Sequence, residues 1–445
     1  MKLFFVSLGC DKNLVDSEKM LALLTAHEIT VTEDVREAEI IIVNTCSFIH
    51  DAKQESIETI LEMAQMKEEG NCLALIVTGC LAQRYAGEIR EEIPEVDAVV
   101  GTTAYDAIWE AVEKCLEGEK PCLMRDIQYM PEGLTERVAA STGHTAYLKI
   151  AEGCNKRCTY CIIPALRGNY RSVPMEELLE EAAQLARRGA KELLIIAQET
   201  TVYGMDLYQE KKLPELLKKL CEIPGIEWIR LLYCYPEEIT EELLVTIKQE
   251  HKICHYLDLP IQHCCDDILK RMGRKTTKTD LIEKISMIRE ILPDVALRTT
   301  LISGFPGETE KQHKECVEFV ADMKFDRLGV FPYSPEEGTP AAEYDGQIPE
   351  ETKRQWADEL MEAEQEVIFR QNEGCIGRRL SVIVDGYLPE EEVYVARSYR
   401  DAPDIDGCVF FPAAYEILSG TVLSVQVTDA RGYDLIGEIC SEEEE

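Results

Sequence analysis

The chain has 445 residues, of which 45% are apolar and 29% are charged. This length and composition are typical of a soluble globular protein with about two to four domains. No apolar run approaches the roughly 18 residues that a membrane-spanning helix requires, so disorder and membrane insertion are excluded as the main state. The first ten residues carry too short an apolar run for a secretion signal, and we expect a cytoplasmic protein.

The charge is strongly acidic, with 84 Asp and Glu against 47 Lys and Arg and a net charge of −37. Such a charge repels nucleic acid phosphates and favours basic partners. The chain also has 18 cysteines. Without an export signal these are not expected to form a disulfide framework, so some of them are predicted to be thiolate ligands or nucleophiles.

Three strand-like segments in the first 80 residues each lead to a cysteine, and they are KLFFVSLGC, EIIIVNTC and LALIVTGC, which reach Cys10, Cys46 and Cys80. Residues 16–27 and 57–66 between them have helical periodicity, which predicts parallel strands in βαβ units. The carboxyl ends of such strands meet at one edge of a sheet. Each cysteine alone could be a small buried apolar residue, but the set predicts a three-thiolate metal site.

A second cysteine triplet follows at about residue 150, where Cys154, Cys158 and Cys161 have C-x3-C-x2-C spacing. Thiolates select iron-sulfur clusters or zinc. Three ligands can hold a cubane and leave its fourth iron open to a substrate. Structural zinc requires four protein ligands, and the loop offers no fourth Cys or His. The triplet therefore predicts an iron-sulfur cluster.

Strand-like and helix-like runs alternate six times between residues 146 and 339. This pattern predicts a parallel sheet curled into a partial (β/α)6 barrel, with its ligand at the carboxyl ends of the strands. A charged helix is predicted at 349–373, followed by five short strands that form a small antiparallel barrel. The fold class is therefore α/β, with a parallel N-terminal domain, a partial barrel and a small β-barrel.

The second triplet, with Tyr160 before its last cysteine, resembles the motif of the radical S-adenosylmethionine (SAM) superfamily. With the first triplet upstream, the chain is similar to the methylthiotransferases over essentially its whole length. The segments that carry this resemblance are GCDKNLVDSE at 9–18, TGCLAQRY at 78–85, IPALRGNYRS at 163–172, LDLPIQH at 257–263 and GFPGE at 304–308.

The resemblance implies two 4Fe-4S clusters, one on each triplet, with SAM bound at the second. The small C-terminal barrel resembles the TRAM module, which commonly binds RNA. The implied domains are a methylthiotransferase N-terminal domain at 1–127, a linker at 128–143, a radical SAM core at 144–372, a TRAM domain at 373–441 and an acidic tail at 442–445.

Further residues follow from the superfamily resemblance. Tyr160 is expected beside the cofactor, and Gln198 and Glu199 end the second barrel strand, where the superfamily holds the amino group of SAM. Their alternative role is helix capping or solvation.

The GFPGE segment supplies three more candidates. Gly304, Gly307 and Glu308 either let the backbone approach the cofactor or simply form a turn.

Four other residues have less defined expectations. Arg167 and Arg171 either orient a carboxylate or are exposed charges. Cys264 and Cys265 are interpreted as ordinary thiols without a ligand role.

Within the family, the segments KNLVDSE, RTTLISGFPGE and YRDAPDIDG resemble the branch that modifies ribosomal protein uS12. Residues 371–445 contain five Arg, no Lys and 16 acidic residues, a net charge of −11. This charge suits a basic ribosomal protein better than RNA, although a solvated acidic face is the alternative.

The resemblance implies insertion of a methylthio group at the β-carbon of a uS12 aspartate, with a reduced flavodoxin-type electron donor. The sulfur donor is not indicated, nor whether uS12 is met free or in the small subunit. One alternative activity is methylthiolation of a tRNA adenosine, which the acidic barrel disfavours. The other is a non-catalytic iron-sulfur electron carrier or sensor.

Overall fold

The structure is a computed structural model that describes residues 1–138 and 143–440. The predicted tail at 442–445 and residues 139–142 of the predicted linker lie outside the described residues. Contacts divide the chain into two units. The first comprises Met1–Thr142, Ala151–Glu181 and Ser334–Ala342, and the second comprises Gly143–Ile150, Ala182–Tyr333 and Glu343–Glu445. The predicted domain boundaries do not follow this division, because the segment with the second cysteine triplet groups with the N-terminal domain.

The N-terminal domain is a parallel α/β sheet, as predicted. Its elements are β1 (Lys2–Ser7), α1 (Asp11–Thr25), β2 (Thr30–Val31), β3 (Ile40–Thr45), α2 (His50–Glu69), β4 (Ala74–Gly79), α3 (Cys80–Glu92), β5 (Ala98–Val100), α4 (Ile108–Leu116) and β6 (Cys122–Leu123). The strand order is β2-β1-β3-β4-β5-β6, and every pairing between these strands is parallel.

Strands β3 and β4 are buried along their whole length. Their near-continuous apolar runs are typical of central strands covered on both faces. Ile40 and Ile42 pack into the core on one face of the sheet, and Ile41 and Val43 into the core on the other. This double burial fixes the register that brings the three strand ends together.

The predicted linker is anchored where the structure describes it. Arg137 is only 2% exposed, and it forms ion pairs with Glu18 and Glu181, the latter at 2.8 Å. Lys19 pairs with the same Glu181 at 3.1 Å. Because the buried Arg137 pairs with two carboxylates, it fixes this part of the segment to the rest of the unit, and the segment is not a free linker here.

The central region contains the six predicted βα units. Its elements are β7 (Thr145–Lys149), β8 (Ala151–Glu152), α5 (Ile163–Arg167), β9 (Arg171–Ser172), α6 (Met175–Arg187), β10 (Glu192–Ile196), α7 (Leu213–Cys221), β11 (Trp228–Leu231), α8 (Glu241–Gln249), β12 (Ile253–Asp258), α9 (Asp266–Arg271), α10 (Lys278–Ile291), β13 (Ala296–Ser303), α11 (Glu310–Met323), β14 (Arg327–Pro332) and α12 (Glu350–Glu373). The main sheet has the order β14-β13-β12-β11-β10-β7 and is parallel throughout.

The C-terminal region is a closed five-stranded barrel. Its strands are β15 (Arg379–Leu388), β16 (Val393–Ser398), β17 (Val409–Phe411), β18 (Val422–Arg431) and β19 (Asp434–Ile439), in the order β15-β16-β17-β19-β18. The prediction of a purely antiparallel barrel is wrong in one respect, because β17 and β19 pair in parallel. The parallel pair is not consecutive in the chain, because β18 lies between β17 and β19. The long 398–409 connection instead joins β16 to β17, which pair antiparallel.

That connection contains the YRDAPDIDG segment, which joins the barrel to the parallel sheet within the second unit. The Tyr256 hydroxyl donates to Asp406 at 2.7 Å, and Arg327 pairs with Asp401. Arg230 donates to the carbonyl of Tyr399 at 2.6 Å. The segment therefore contacts strands β11, β12 and β14 of the sheet.

No helix within residues 1–138 and 143–440 is long and apolar enough to cross a bilayer.

Candidate functional site

The structure brings both cysteine triplets into the first contact-defined unit. Cys10 is the N-cap of α1, and Cys80 is the first residue of α3. Cys46 follows the last residue of β3 directly. Each cysteine of the first triplet therefore stands just beyond the carboxyl end of a parallel strand, as the sequence predicts.

Asn13, in the first turn of α1, holds the strand ends in place. Its side-chain amide donates to the carbonyls of Leu8 at 3.0 Å and Thr45 at 2.9 Å. Asn44 donates in return to the backbone carbonyl of Asn13 at 2.9 Å. Cys46 is fixed by Ser56, whose hydroxyl accepts from the Cys46 N–H at 3.0 Å. These bonds fix the backbone on both sides of Cys10 and Cys46.

Gly9 is required where it stands. Its φ of +87° lies in the left-handed region, and a Cβ there would come within 2.7 Å of the Cys46 Cβ and 2.9 Å of its Sγ. Any other residue would therefore displace a predicted ligand.

The thiols of the first triplet influence one another. Burial raises the pKa of Cys46 to about 12, the charges of Cys80 and Cys10 act in the same direction, and backbone N–H groups of Phe48 and Ser47 oppose them. Burial also raises the pKa of Cys80, whereas the guanidinium of Arg167 lowers it. Three such thiols can be thiolates together only when a bound cation compensates their charge.

The second triplet lies on the loop between β8 and α5. Cys154 is fixed by its N–H, which donates to the carbonyl of Gly168 at 3.1 Å, and its Sγ accepts from the N–H of Lys156 at 3.5 Å. Burial raises the pKa of Cys161 to about 12; the N–H of Ile163 lowers it, and the charges of Cys158 and Cys154 raise it.

The donor set fits iron-sulfur clusters. Each triplet has three mutually interacting thiols with backbone N–H groups directed at sulfur, and such hydrogen bonds accompany cluster ligation. Three thiolates of one triplet can bind different irons of a cubane.

Arg167 connects the second triplet's loop to the first triplet. Its guanidinium is buried and donates to Asp16 at 2.7 Å and Glu152 at 3.2 Å, and also to Asn13. It lies 3.5 Å from the Sγ of Cys80. Of the two expectations for Arg167, the exposed charge is wrong, because its side chain is 2% exposed and orients carboxylates of this chain.

Arg171 is half-buried and bonds to the backbone instead. It donates to the carbonyls of Asn169 at 2.5 Å and Arg167 at 3.0 Å. Its function is therefore to hold the turn that carries Arg167. Sequence reasoning missed Asn13, Asp16 and Glu152, although polar residues on the first turns of α1 repeat at helical spacing and could have indicated a buried polar face.

Tyr160 is half-buried between Cys158 and Cys161 in the first unit. Gln198 and Glu199 follow β10 in the second unit, at the carboxyl edge of the sheet as predicted, and Glu199 is 2% exposed. The Thr201 hydroxyl donates to Glu199 at 3.2 Å. Contact of these three residues with SAM stays a prediction.

The GFPGE segment follows β13 and is held by internal contacts. A Cβ on Gly304 would come within 2.3 Å of the Lys353 side chain, and one on Gly307 within 3.1 Å of the Arg271 guanidinium. One Glu308 oxygen accepts from the N–H groups of Gly304 at 2.7 Å and Phe305 at 3.1 Å. These contacts explain both glycines and the glutamate as parts of a built turn; their contact with the cofactor stays a prediction.

Family models match three parts of the chain. Residues 2–101 match the model described as Uncharacterized protein family UPF0004, residues 148–320 match the Radical SAM superfamily, and residues 376–440 match the TRAM domain.

Solved structures support the same fold. A radical SAM methyltransferase, TsrM from Kitasatospora setae, aligns with a TM-score of 0.54 at 14% identity over 86% of this chain and 78% of that one. The cobalamin-dependent radical enzyme OxsB aligns with a TM-score of 0.52 at 15% identity over 83% of this chain and 56% of that one. Together with the family models, these likenesses define a radical SAM fold with an N-terminal cysteine domain and a TRAM barrel.

Relatives of nearly equal length define the family more closely. The chain is 58% identical to ribosomal protein uS12 methylthiotransferase RimO of Lachnoclostridium phytofermentans, over 98% of this chain and 99% of that protein. It is 50% identical to the RimO of Geobacter sulfurreducens and 48% identical to that of Clostridioides difficile, in each case over 99% of both chains. The chain belongs to the uS12 methylthiotransferase family. Its radical SAM and methylthiotransferase domains imply SAM and iron-sulfur clusters as cofactors.

Proposed function

We propose that this protein inserts a methylthio group at the β-carbon of an aspartate side chain of ribosomal protein uS12. The proposal rests on the junction between the two triplets within the first unit. At this junction Arg167, from the segment that carries the second triplet, lies 3.5 Å from the Sγ of Cys80 in the first triplet. A site that joins radical formation to sulfur transfer requires both centres near one substrate carbon.

The two triplets have different tasks in this proposal. Cys154, Cys158 and Cys161 would hold a 4Fe-4S cluster with one open iron for SAM. Cys10, Cys46 and Cys80 would hold a second 4Fe-4S cluster for sulfur delivery. An unactivated C–H bond has no acidic proton, so cofactors must supply the difficult chemistry and the protein supplies position and electrostatics.

When bound, the clusters and SAM would supply a 5′-deoxyadenosyl radical, formed by cleavage of one SAM with an electron from a flavodoxin-type donor, and a sulfur methylated by a second SAM. The hydrogen would leave as part of 5′-deoxyadenosine, so that C–H becomes C–S–CH3.

The chain's own residues perform the remaining tasks. Asn13 holds the strand ends that carry Cys10 and Cys46. Arg167 supplies positive charge beside Cys80, which favours the thiolate form and stabilises an anionic cluster on that side. The apolar contact of Cys80 with Ile162 and Leu166 excludes water from the junction, which strengthens this electrostatic effect.

The acidic surface supports uS12 as the substrate. Arg397 and Arg400 of the C-terminal region are 3% and 7% exposed, so two of its five arginines are withdrawn from the surface. Glu390, Glu391 and Glu392 are exposed together between β15 and β16. Asp401 and the side chain of Asp406 are also only 2% exposed, so the surface presented to partners stays acidic and complements a Lys- and Arg-rich protein.

The test separates radical formation from sulfur insertion. Protein reconstituted without oxygen should hold about eight irons in two cubanes, and should cleave SAM and modify uS12. The variant with Cys10, Cys46 and Cys80 changed to Ala should still release 5′-deoxyadenosine under strong reductant but give no methylthiolated uS12. A Cys158→Ala variant should lose both reactions and keep the first cluster.

Cys72→Ala is the matched control, because Cys72 is a buried cysteine of the same domain outside the triplets. It should retain both clusters and both reactions. Methylthiolated uS12 from the folded triple variant, or loss of all iron from a folded Cys158→Ala variant, would contradict the proposed division between the triplets.

A further inference from the structure

A third thiol group lies in the second unit, away from both triplets in sequence. It consists of His263, Cys264, Cys265 and Cys316, which we call the His263 group. One ligand atom from each residue lies within 4.8 Å of the others. His263, Cys264 and Cys265 belong to the loop between β12 and α9, and Cys316 belongs to α11. Cys264 and Cys265, which the sequence predicts to be ordinary thiols without a ligand role, therefore lie beside two further potential ligands.

We propose that the His263 group is a structural zinc site, with one imidazole and three thiolate ligands. The Sγ of Cys264 lies 3.2 Å from that of Cys316 and 3.9 Å from that of Cys265. The Sγ of Cys316 lies 3.5 Å from the ring nitrogens of His263. Tetrahedral zinc, with Zn–S near 2.3 Å and Zn–N near 2.0 Å, places its sulfurs about 3.8 Å apart and sulfur and nitrogen about 3.5 Å apart.

The ring of His263 is already oriented as a ligand. Its Nε2 lies 3.2 Å from an oxygen of Glu308, so the Nε2–H donates to the carboxylate. Its Nδ1 accepts the N–H of Cys265 at 3.0 Å, so the ring's lone pair is on Nδ1. Metal-bound histidines usually donate their other ring N–H to a carboxylate in this way. On binding to Nδ1, zinc would replace the hydrogen bond that this atom accepts from the Cys265 N–H.

Burial favours a structural site over a catalytic one. His263 is 1% exposed, Cys264 0%, Cys265 5% and Cys316 2%. Four protein ligands close the coordination of zinc and leave no position for a substrate. The short sulfur separations within the His263 group suit one ion.

The site would stabilise the turn after β13. Glu308 bonds to His263 through one oxygen and accepts the N–H groups of Gly304 and Phe305 through the other. Zinc would therefore link the loop after β12, helix α11 and the GFPGE segment. This is a role separate from both predicted clusters.

The direct test is zinc analysis of the full chain with both iron-sulfur clusters reconstituted. Mass spectrometry of metals should find about one zinc per chain in addition to iron. X-ray absorption at the zinc edge should give about three sulfurs near 2.3 Å and one nitrogen near 2.0 Å. Because the clusters occupy the other triplets, this zinc cannot be their substitute, and the wild-type measurement does not depend on the folding of any variant.

Variants locate the ion. Cys316→Ser should lower the zinc content at least about tenfold, and Glu308→Gln should weaken zinc binding about 10- to 100-fold in competition with a chelator. Cys254→Ser is the control, because Cys254 is a buried cysteine on β12 outside the His263 group, and its zinc content should equal that of the wild type.

Three results would overturn the proposal. The first is that the purified protein contains no zinc even after zinc has been supplied. The second is that Cys316→Ser and the wild type contain equal amounts of zinc. The third is that peptides alkylated directly after isolation contain a Cys264–Cys316 disulfide.

Discussion

Arg167 is the residue on which the geometry of the site depends most. It is a buried guanidinium that contacts two carboxylates, one amide and one predicted cluster ligand. The charges of Cys80, Glu152 and Asp16 outweigh its burial and raise the pKa of Arg167 well above its usual range. Removing it would take this cation away from the buried Asp16 and Glu152.

Arg167→Gln should therefore lower the free energy of unfolding by about 3–5 kcal/mol, the cost of breaking a buried ion pair from one side. Loss of positive charge beside Cys80 should also make the reduction potential of the first cluster more negative. Denaturant titration and redox titration of the reconstituted protein measure the two effects. Arg171→Gln, which loses the bonds to the carbonyl oxygens of Asn169 and Arg167, should change stability by about 1 kcal/mol. Equal effects of the two substitutions would contradict this role of Arg167.

Gly9 permits a second prediction at this scale. Gly9→Ala combines backbone strain of about 1–3 kcal/mol with a clash against Cys46, so the first cluster should be lost and about half of the iron with it. Gly118→Ala is a close control, since Gly118 has a φ of +86° but nothing within 4 Å of the added Cβ. Gly118→Ala should keep full iron. Full iron in folded Gly9→Ala would show that the contact with Cys46 is unimportant.

At the scale of elements, the barrel and the parallel sheet of the second unit meet through buried charges. Glu192 opens β10 and pairs with Arg230 of β11 and with Arg397 of β16, each at 2.8 Å. Burial alone would raise the pKa of Glu192, but the two guanidinium groups outweigh it and hold the pKa below its usual value.

Glu192→Gln should lower the free energy of unfolding by about 3–5 kcal/mol at neutral pH, because the buried Arg230 and Arg397 both lose the carboxylate with which they pair. Since the folded pKa is depressed, this stabilisation is present above the ordinary glutamate pKa of about 4.3 and is lost as pH falls through the folded value. The difference between wild type and variant should therefore narrow below about pH 4. Denaturant titrations at several pH values measure it, and a difference that grows on acidification would contradict the account.

The elements that the sequence predicts well are those whose patterning is unambiguous. Strands β3 and β4 are uninterrupted apolar runs, and the six strands of the central sheet alternate with amphipathic helices. Strands β2 and β6 have two residues each, too few for any periodicity to appear.

The site could be predicted in part for the same reason. Cysteine spacing indicates ligands directly, whereas the burial of Arg137 and Arg167 depends on carboxylates distant in sequence. The His263 group was missed because its fourth member, Cys316, lies about 50 residues further along the chain.

At the scale of the whole molecule, charge is expected to govern partner choice. Deleting residues 371–445 is not a clean test of uS12 docking, because it would remove the partners of buried Arg230 and Glu192. We instead predict that the double substitution Glu391→Lys and Glu392→Lys slows association with uS12, because it removes exposed acidic charge from the barrel. The slowing should be up to about tenfold at low salt and smaller at physiological salt.

Glu68→Lys with Glu69→Lys is the control, since it changes the net charge equally at exposed positions at the end of α2. Stopped-flow or surface-binding kinetics measure both variants. Equal slowing by the two pairs would assign the effect to net charge and contradict docking through the barrel.

The central claim is that the two triplets together modify a protein and not RNA. The most direct measurement offers uS12 and tRNA together to the reconstituted enzyme with SAM and reductant, followed by mass spectrometry of uS12 peptides and tRNA nucleosides. The account predicts a methylthio group on one uS12 aspartate and unmodified tRNA. Methylthiolated adenosine, or unmodified uS12 from enzyme that cleaves SAM and carries both clusters, would contradict it.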